Sequence, residues 1–229
     1  MTDFGNIAFQ VSVWALPVLL AITLHEAAHA YAAYWLGDDY AHRNGRTSLN
    51  PLKHIDPFGT LVLPGLLIAT GAGFIIGYAK PVPVMFDRLR PRRLGIALVA
   101  AAGPAANVFL ALVAAVLLYV APIVPNPVGL WFSQNLENAL IVNALLAAFN
   151  LLPVPPLDGG RILMAALPPQ VAWRLRGMER AGIFIVLGVA LIVPMIAREF
   201  GIDFNPVADW ARGGANIILE TVYTITGWR

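Results

Sequence analysis

Phe4-Gly-Asn-Ile-Ala-Phe-Gln-Val-Ser-Val-Trp-Ala-Leu-Pro-Val-Leu-Leu-Ala-Ile-Thr-Leu24 contains no charged residue and runs straight into His25-Glu-Ala-Ala-His29. About 20 predominantly apolar residues suffice for a helix to cross the hydrocarbon layer of a membrane. This stretch is long enough, and three ionisable groups sit at its inner end. Further charge-free runs follow at Leu94 to Leu136, Asn138 to Leu157 and Ala181 to Ala197. The pattern predicts an all-α, polytopic membrane protein, a helical bundle of about four to five spans.

Composition agrees. Of the 229 residues, 59% are hydrophobic and 12% charged, with a mean hydropathy of +0.71. Soluble domains carry roughly 25% charged residues, so half of a normal water-facing surface is missing. The net charge of +2 is small and its basic residues are scattered, which argues against a nucleic-acid partner. With no cysteine in the chain, disulfides and thiolate metal sites are excluded, and any metal must be held by imidazole or carboxylate. The first apolar run is preceded by Asp3 rather than a basic cluster and continues into His25 and Glu26; it reads as a retained span, not a cleaved signal peptide.

The remaining signals divide the chain. The first helix is expected over about Ile7 to Leu36, with Gly37 as its C-cap. The polar stretch Asp38 to Pro57 carries the turn signal Asn44-Gly45, with short extended pieces expected near residues 40–50. Phe58 to Tyr78 is apolar but broken by Pro64 and Gly71-Ala72-Gly73. Lys80-Pro-Val-Pro-Val84 must be extended, because alternate prolines forbid a helix; a second extended piece is placed near 78–85. A long helix follows from Leu94 to about Val120, a proline-rich loop over Ala121 to Gly129, and a span over roughly Asn138 to Leu152. After a short basic stretch comes the last span, 181–197. Beyond Asn205-Pro206, an N-cap and first helical position, the interleaved pattern of Val207 to Trp228 suits a helix lying at the membrane interface. No internal repeat is found. The chain reads as one domain, 1–229, with a catalytic core over about 7–167.

His-Glu-x-x-His on a helix places the two imidazoles at i and i+4, on one face. That spacing suits two ligands of a tetrahedral Zn²⁺, with Glu26 beside them to take a proton from an attacking water. Ionisable groups inside a span are expensive and mark function, so packing alone is a poor account of three within five residues. A catalytic zinc takes a third protein ligand. Asp158 stands out: it ends an apolar run, follows the proline-broken Asn150-Leu-Leu-Pro-Val-Pro-Pro-Leu-Asp158, and precedes Gly159-Gly160, which permit close backbone approach. Its plainer reading is an N-cap. His42 and His54 are rival ligands, though both lie in the polar stretch. Asn107 and Asn150 are amides in otherwise apolar helices. Each can serve a substrate carbonyl or developing oxyanion, or bond across helices as structural glue. The extended Lys80–Val84 piece can take a substrate as an added strand, or simply connect two helices.

Five motifs occur in order over about residues 20–165: His25-Glu-Ala-Ala-His29, Asn50-Pro-Leu-Lys-His-Ile-Asp-Pro-Phe-Gly-Thr60, Lys80-Pro-Val-Pro-Val84, Gly103-Pro-Ala-Ala-Asn107 and Asn150 to Gly160. In these the chain resembles the site-2 protease family of intramembrane metalloproteases, in a minimal form without a PDZ domain. The resemblance implies one zinc per chain held by His25, His29 and Asp158, with Glu26 as base and Asn107 and Asn150 facing the active site. The implied partners are a membrane-embedded protein substrate and the lipid bilayer. Met85 departs from the pattern, where related members often carry Asn.

Geometry and charge bear on topology. His25 lies 11 residues before Leu36, about 16 Å along a helix. If residues 58–78 crossed the membrane, His25 and Asp158 would approach opposite faces and could hardly share an ion. If that segment re-enters and returns, both approach one face. The same-side loops then hold Arg43, Arg46, Lys53, Lys80, Arg88, Arg90, Arg92, Arg93, Arg161, Arg174, Arg176 and Arg180, against Arg198, Arg212 and Arg229 opposite, 12 to 3. Full crossing gives 9 to 6. The positive-inside rule favours the re-entrant form, in a multi-pass protein of the cell membrane with its active site nearer the cytoplasm. The expected activity is zinc-dependent hydrolysis of peptide bonds in or near transmembrane segments; the alternative is a metal-binding transporter using the same cluster. Glu26 discriminates, since a transporter needs no base.

Overall fold

The computed structural model describes residues 4–57, 62 and 80–228, save the side chains of residues 4 and 180. Eight α-helices are found among them: α1 (Phe4–Trp35), α2 (Tyr40–Arg43), α3 (Arg92–Leu118), α4 (Val128–Asn150), α5 (Asp158–Ala166), α6 (Pro169–Arg176), α7 (Glu179–Glu199) and α8 (Pro206–Thr226). No strand occurs among the described residues. The all-α expectation holds. Three helices are long and apolar enough to cross a membrane: Gly5–Trp35, Arg92–Ile123 and Ala181–Glu199.

The bundle is built on small residues. Ala21, Ala27, Ala30 and Ala33 of α1, Ala100, Ala111, Ala114 and Ala115 of α3, and Ala144, Ala147 and Ala148 of α4 are all buried. Small side chains let helix backbones approach closely where lipid removes the hydrophobic drive for association. Large apolar residues point outward instead, among them Trp14, Leu16, Leu20, Phe109 and Ile192. In water such a surface would aggregate; in lipid it is the solvated face.

Chain direction is set at one end. α1 stops at Gly37, whose φ of +99° is cheap only without a Cβ. The Arg90 amide then donates to the Leu36 carbonyl at 2.8 Å, and the Arg88 guanidinium to Asp39 at 2.9 Å. Buried Asp38 accepts from the amides of Tyr40 and Met85. The Lys80 amide donates to the His54 carbonyl at 2.9 Å. Both flanks of residues 58–79 therefore meet at the end of the bundle where α1 finishes and α3 begins. Residues 58–61 and 63–79, including the Gly71-Ala72-Gly73 break, lie outside the described residues. We expect single cysteines at Thr47 and Phe86 in this Cys-free chain to react alike with an impermeant thiol reagent from one side of the membrane. Opposite accessibility would refute the shared face.

Three expectations are corrected. Before the Asn44-Gly45 turn the chain makes a helical turn, α2, not an extended piece; Gly45 (φ +65°) closes it. Residues 80–85 are non-helical, as the prolines require. The helix expected as a span from Asn138 begins earlier, at Val128; the polar residues that hid its start are accommodated within it, Asn135 donating back to the Trp131 carbonyl. The helix read as interfacial, α8, instead runs antiparallel along α4. Trp210 Nε1 donates to the Ala148 carbonyl at 2.9 Å, and at the other end Trp228 Nε1 donates to the Ala115 carbonyl at 3.0 Å. Ala215 and Val222 are buried between them, with Ile218 and Leu219 packed alongside. That stripe has helical spacing, and the bundle, not the interface, covers it.

Candidate metal centre

α1 carries His25 and His29 one turn apart, both buried, with Nε2 atoms 3.0 Å from each other. Asp158 is the first residue of α5; Leu157, not Asp158, occupies the N-cap position. Its Oδ2 lies 3.2 Å from His25 Nε2 and 3.3 Å from His29 Nε2. The prolines of 153–156 turn the chain from α4 back toward α1, and the glycines make room for it. A Cβ on Gly159 would fall 2.2 Å from the Leu151 carbonyl oxygen, and one on Gly160 2.2 Å from the Pro155 nitrogen.

Each imidazole is fixed from behind. Asn107 Oδ1 lies 2.6 Å from His25 Nδ1, and the Val99 carbonyl 2.7 Å from His29 Nδ1. Both partners accept, so each Nδ1 carries the proton and each Nε2 presents a lone pair. Asn107 is fully buried, and its amide nitrogen donates to the Ala21 carbonyl (3.2 Å) and Asn143 Oδ1 (2.8 Å). Three acceptors thus converge on one point, and buried Asp158 Oδ2 has no hydrogen-bond donor among the described residues. A cation at their centre satisfies all three. The donor set, two imidazoles and a carboxylate, is one that zinc accepts in catalytic sites. Among the described residues these three form the cluster able to hold a metal.

Glu26 lies on the same turn, half-buried, and its Oε2 accepts from the Val82 amide at 2.9 Å. The extended segment is anchored by Arg46, a buried guanidinium that donates to the carbonyls of Lys53, Lys80 and Pro81. Met85 is tied to Asp38 at 2.6 Å. The amide of Val84 and the carbonyl of Val82 bond to no described residue.

The rival histidines are elsewhere. His42 is exposed, bonded to Thr47 and stacked on Tyr34. His54 is buried and bonded through Nε2 to the Ser48 carbonyl; burial, helped by the nearby Arg46 charge, holds its imidazole below the usual range. Asn150 ends α4, its amide nitrogen donating to the Leu146 carbonyl at 2.9 Å.

Residues 126–195, which include Asp158 but not His25 or His29, match the family described as Peptidase family M50. A Bacillus subtilis protein named "Putative zinc metalloprotease YwhC" is 40% identical over 184 residues, covering 79% of this chain and 80% of the relative. The chain belongs to peptidase family M50. Relatives named "Putative zinc metalloprotease Rip2" match at 33% identity in Mycolicibacterium smegmatis (80% of this chain, 67% of the relative) and 32% in Mycobacterium tuberculosis (81% and 69%). No solved structure matches the chain. This M50 peptidase is accordingly a zinc metalloprotease, and the site-2 protease resemblance is borne out.

Sequence reasoning missed several residues that support this cluster and the segment beside it. Asn143 was within reach: it is an amide in an apolar helix, the same signal that singled out Asn107 and Asn150. Arg46 and Asp38 gave none, because an arginine and an aspartate in a polar loop read as solvated. Val99 contributes only a backbone carbonyl, which no side-chain pattern can reveal.

Proposed function

We propose that this peptidase hydrolyses peptide bonds in or beside transmembrane segments of membrane proteins, with His25, His29 and Asp158 holding one zinc ion and Glu26 as base. The observation that carries this is placement. The three converging acceptors and the Glu26 carboxylate sit about 9–15 Å inside a membrane-length helix, the α1 residues being six to ten positions from its end at about 1.5 Å per residue. A site for soluble peptides has no reason to lie at that depth.

When bound, zinc supplies a Lewis acid that polarises the scissile carbonyl and acidifies an attacking water. The chain's own residues do the rest. Asn107 and the Val99 carbonyl hold the imidazoles with their Nε2 lone pairs toward the ion, so Asn107 is a positioning residue whose amide has no atom left for substrate. Asn150, whose side-chain oxygen bonds to no described residue, is the remaining substrate-facing amide. Glu26 accepts the water's proton and returns it to the leaving amine. The Val82 carbonyl and the Val84 amide, which bond to no described residue, offer a substrate an extended partner, which matters because peptide bonds within a helix are shielded from attack. The described flanks on either side, His54 and Lys80, meet at one end of the bundle, which places the loops before and after them on one face. The 12-to-3 distribution of basic residues supports a cell-membrane protein with its site nearer the cytoplasmic face.

Incubation of the zinc-loaded protein with a single-span peptide, and mass spectrometry of the products, tests the reading. Cuts within or at the margin of the apolar span are expected. Cuts confined to the soluble flanks would overturn the intramembrane assignment.

A further inference from the structure

At the end of the bundle where α3 begins, a cavity of about 310 Å³ opens between the first turns of α3, the outer face of α5, and α6. Four guanidinium groups line it, Arg92, Arg93, Arg161 and Arg176, against one carboxylate, Glu179. Their existing partners leave much of that charge unmet. Arg93 donates to the Ala165 and Leu167 carbonyls at the end of α5, and Arg92 pairs with exposed Asp87. Arg176 has no hydrogen bond or ion pair with a described residue. Arg161 lies over the Phe86 ring at 5.6 Å, its buried Nε has no hydrogen-bond partner among the described residues, and its Nη1 lies 3.8 Å from Asp158 Oδ1. Several guanidinium donors converging on one small space are a match for a phosphate group.

The rest of the lining identifies the kind of phosphate. Arg92 opens a membrane-length helix, so the cavity lies where that helix leaves the hydrocarbon for the headgroup layer. Its remaining wall is apolar, with Ile96 and Met164 below the arginines. Trp173, 76% exposed at the rim, is the residue type enriched at this depth. A free phosphate gains nothing from such a wall, whereas the first carbons of an acyl chain do. We propose that this cavity binds the headgroup of an anionic phospholipid of the same leaflet, its phosphate among Arg92, Arg161 and Arg176 and its chains against Ile96 and Met164. Basic pockets between membrane helices serve this purpose. Because Arg161 faces both the cavity and Asp158, the headgroup is one side chain from the metal centre. The inference rests on the membrane placement, not on the hydrolytic reaction.

The test is lipid retention by the full-length protein, which is read without any cleavage assay. Nanodiscs of equimolar phosphatidylcholine and phosphatidylglycerol supply the lipids, and native mass spectrometry after transfer to mild detergent counts what stays bound. Wild type is expected to keep one phosphatidylglycerol in preference to phosphatidylcholine. The Arg92→Gln/Arg176→Gln double variant should lose that preference by about tenfold while keeping its zinc, which reports that the fold survives. Arg198→Gln/Arg212→Gln removes the same charge elsewhere and should retain the lipid. Equal loss in both double variants would reduce the effect to general surface charge and overturn the site. No lipid preference in wild type, or displacement of the lipid by inorganic phosphate, would overturn it as well.

Discussion

Glu26→Gln is expected to keep its zinc and to lose peptide hydrolysis by about 10²–10⁴-fold, the usual worth of a general base. The retained metal follows from the ligand geometry, in which His25, His29 and Asp158 converge without Glu26. The retained architecture follows from the Val82 contact. The carboxylate accepts from the Val82 amide at 2.9 Å, and the amide oxygen of glutamine can accept the same bond, so the extended segment stays in place. What glutamine lacks is a site for the water's proton. His25→Ala, by contrast, should lose metal and activity together, because only two ligands remain. Zinc per chain measured beside the initial cleavage rate separates the two variants, and misfolding would lower both quantities in either. Near wild-type cleavage by a zinc-loaded Glu26→Gln would remove Glu26 from the mechanism.

The second large effect is expected from a single methyl group. A Cβ on Gly103 would lie 2.4 Å from His29 Nε2 and 2.6 Å from His25 Nε2, inside any real contact distance. The rings cannot retreat cheaply. His25 is held by fully buried Asn107 and His29 by the Val99 carbonyl, and breaking either bond leaves a buried polar group unsatisfied at about 1–3 kcal/mol. Gly103→Ala should therefore weaken zinc binding by about 10–100-fold, the range seen when the support of a metal-ligating histidine is disturbed, and hydrolysis should fall with it. Gly213→Ala is the control, since a Cβ there meets nothing within 4 Å. Zinc affinity by competition with a chelator decides the matter; an unchanged affinity in Gly103→Ala would show that the imidazoles are free to move.

How much of this was legible in the sequence depends on the kind of signal each residue leaves. His25, Glu26 and His29 were legible because five consecutive residues encode their relation through the helical repeat. Asp158 was legible only in combination: a proline-broken run, two glycines and the need for a third ligand. Its partnership with residues 133 and 129 positions earlier has no local signature. Gly103 appeared in a motif, but its reason, the space taken by two imidazoles from another helix, is purely tertiary. α8 was misplaced for a related reason. Its polar residues Asp209, Arg212 and Glu220 gave an interfacial pattern, while the alanine faces of α3 and α4 that receive its apolar stripe are ordinary in sequence. The direction of α1 and α3 at their shared end rests on Arg90, Asp38 and Asp39 bonding to partners more than 40 residues away, which no window of sequence displays.

We propose that one zinc ion, held by His25, His29 and Asp158, makes this chain an endopeptidase acting within the membrane. The most direct test strips the purified protein of metal and follows cleavage of a single-span peptide as zinc is returned. Activity should be absent without metal, rise in proportion to zinc, and level off at one ion per chain. Cleavage that persists without metal, or a full complement of zinc that yields no cleavage of the spanning peptide, would contradict the account.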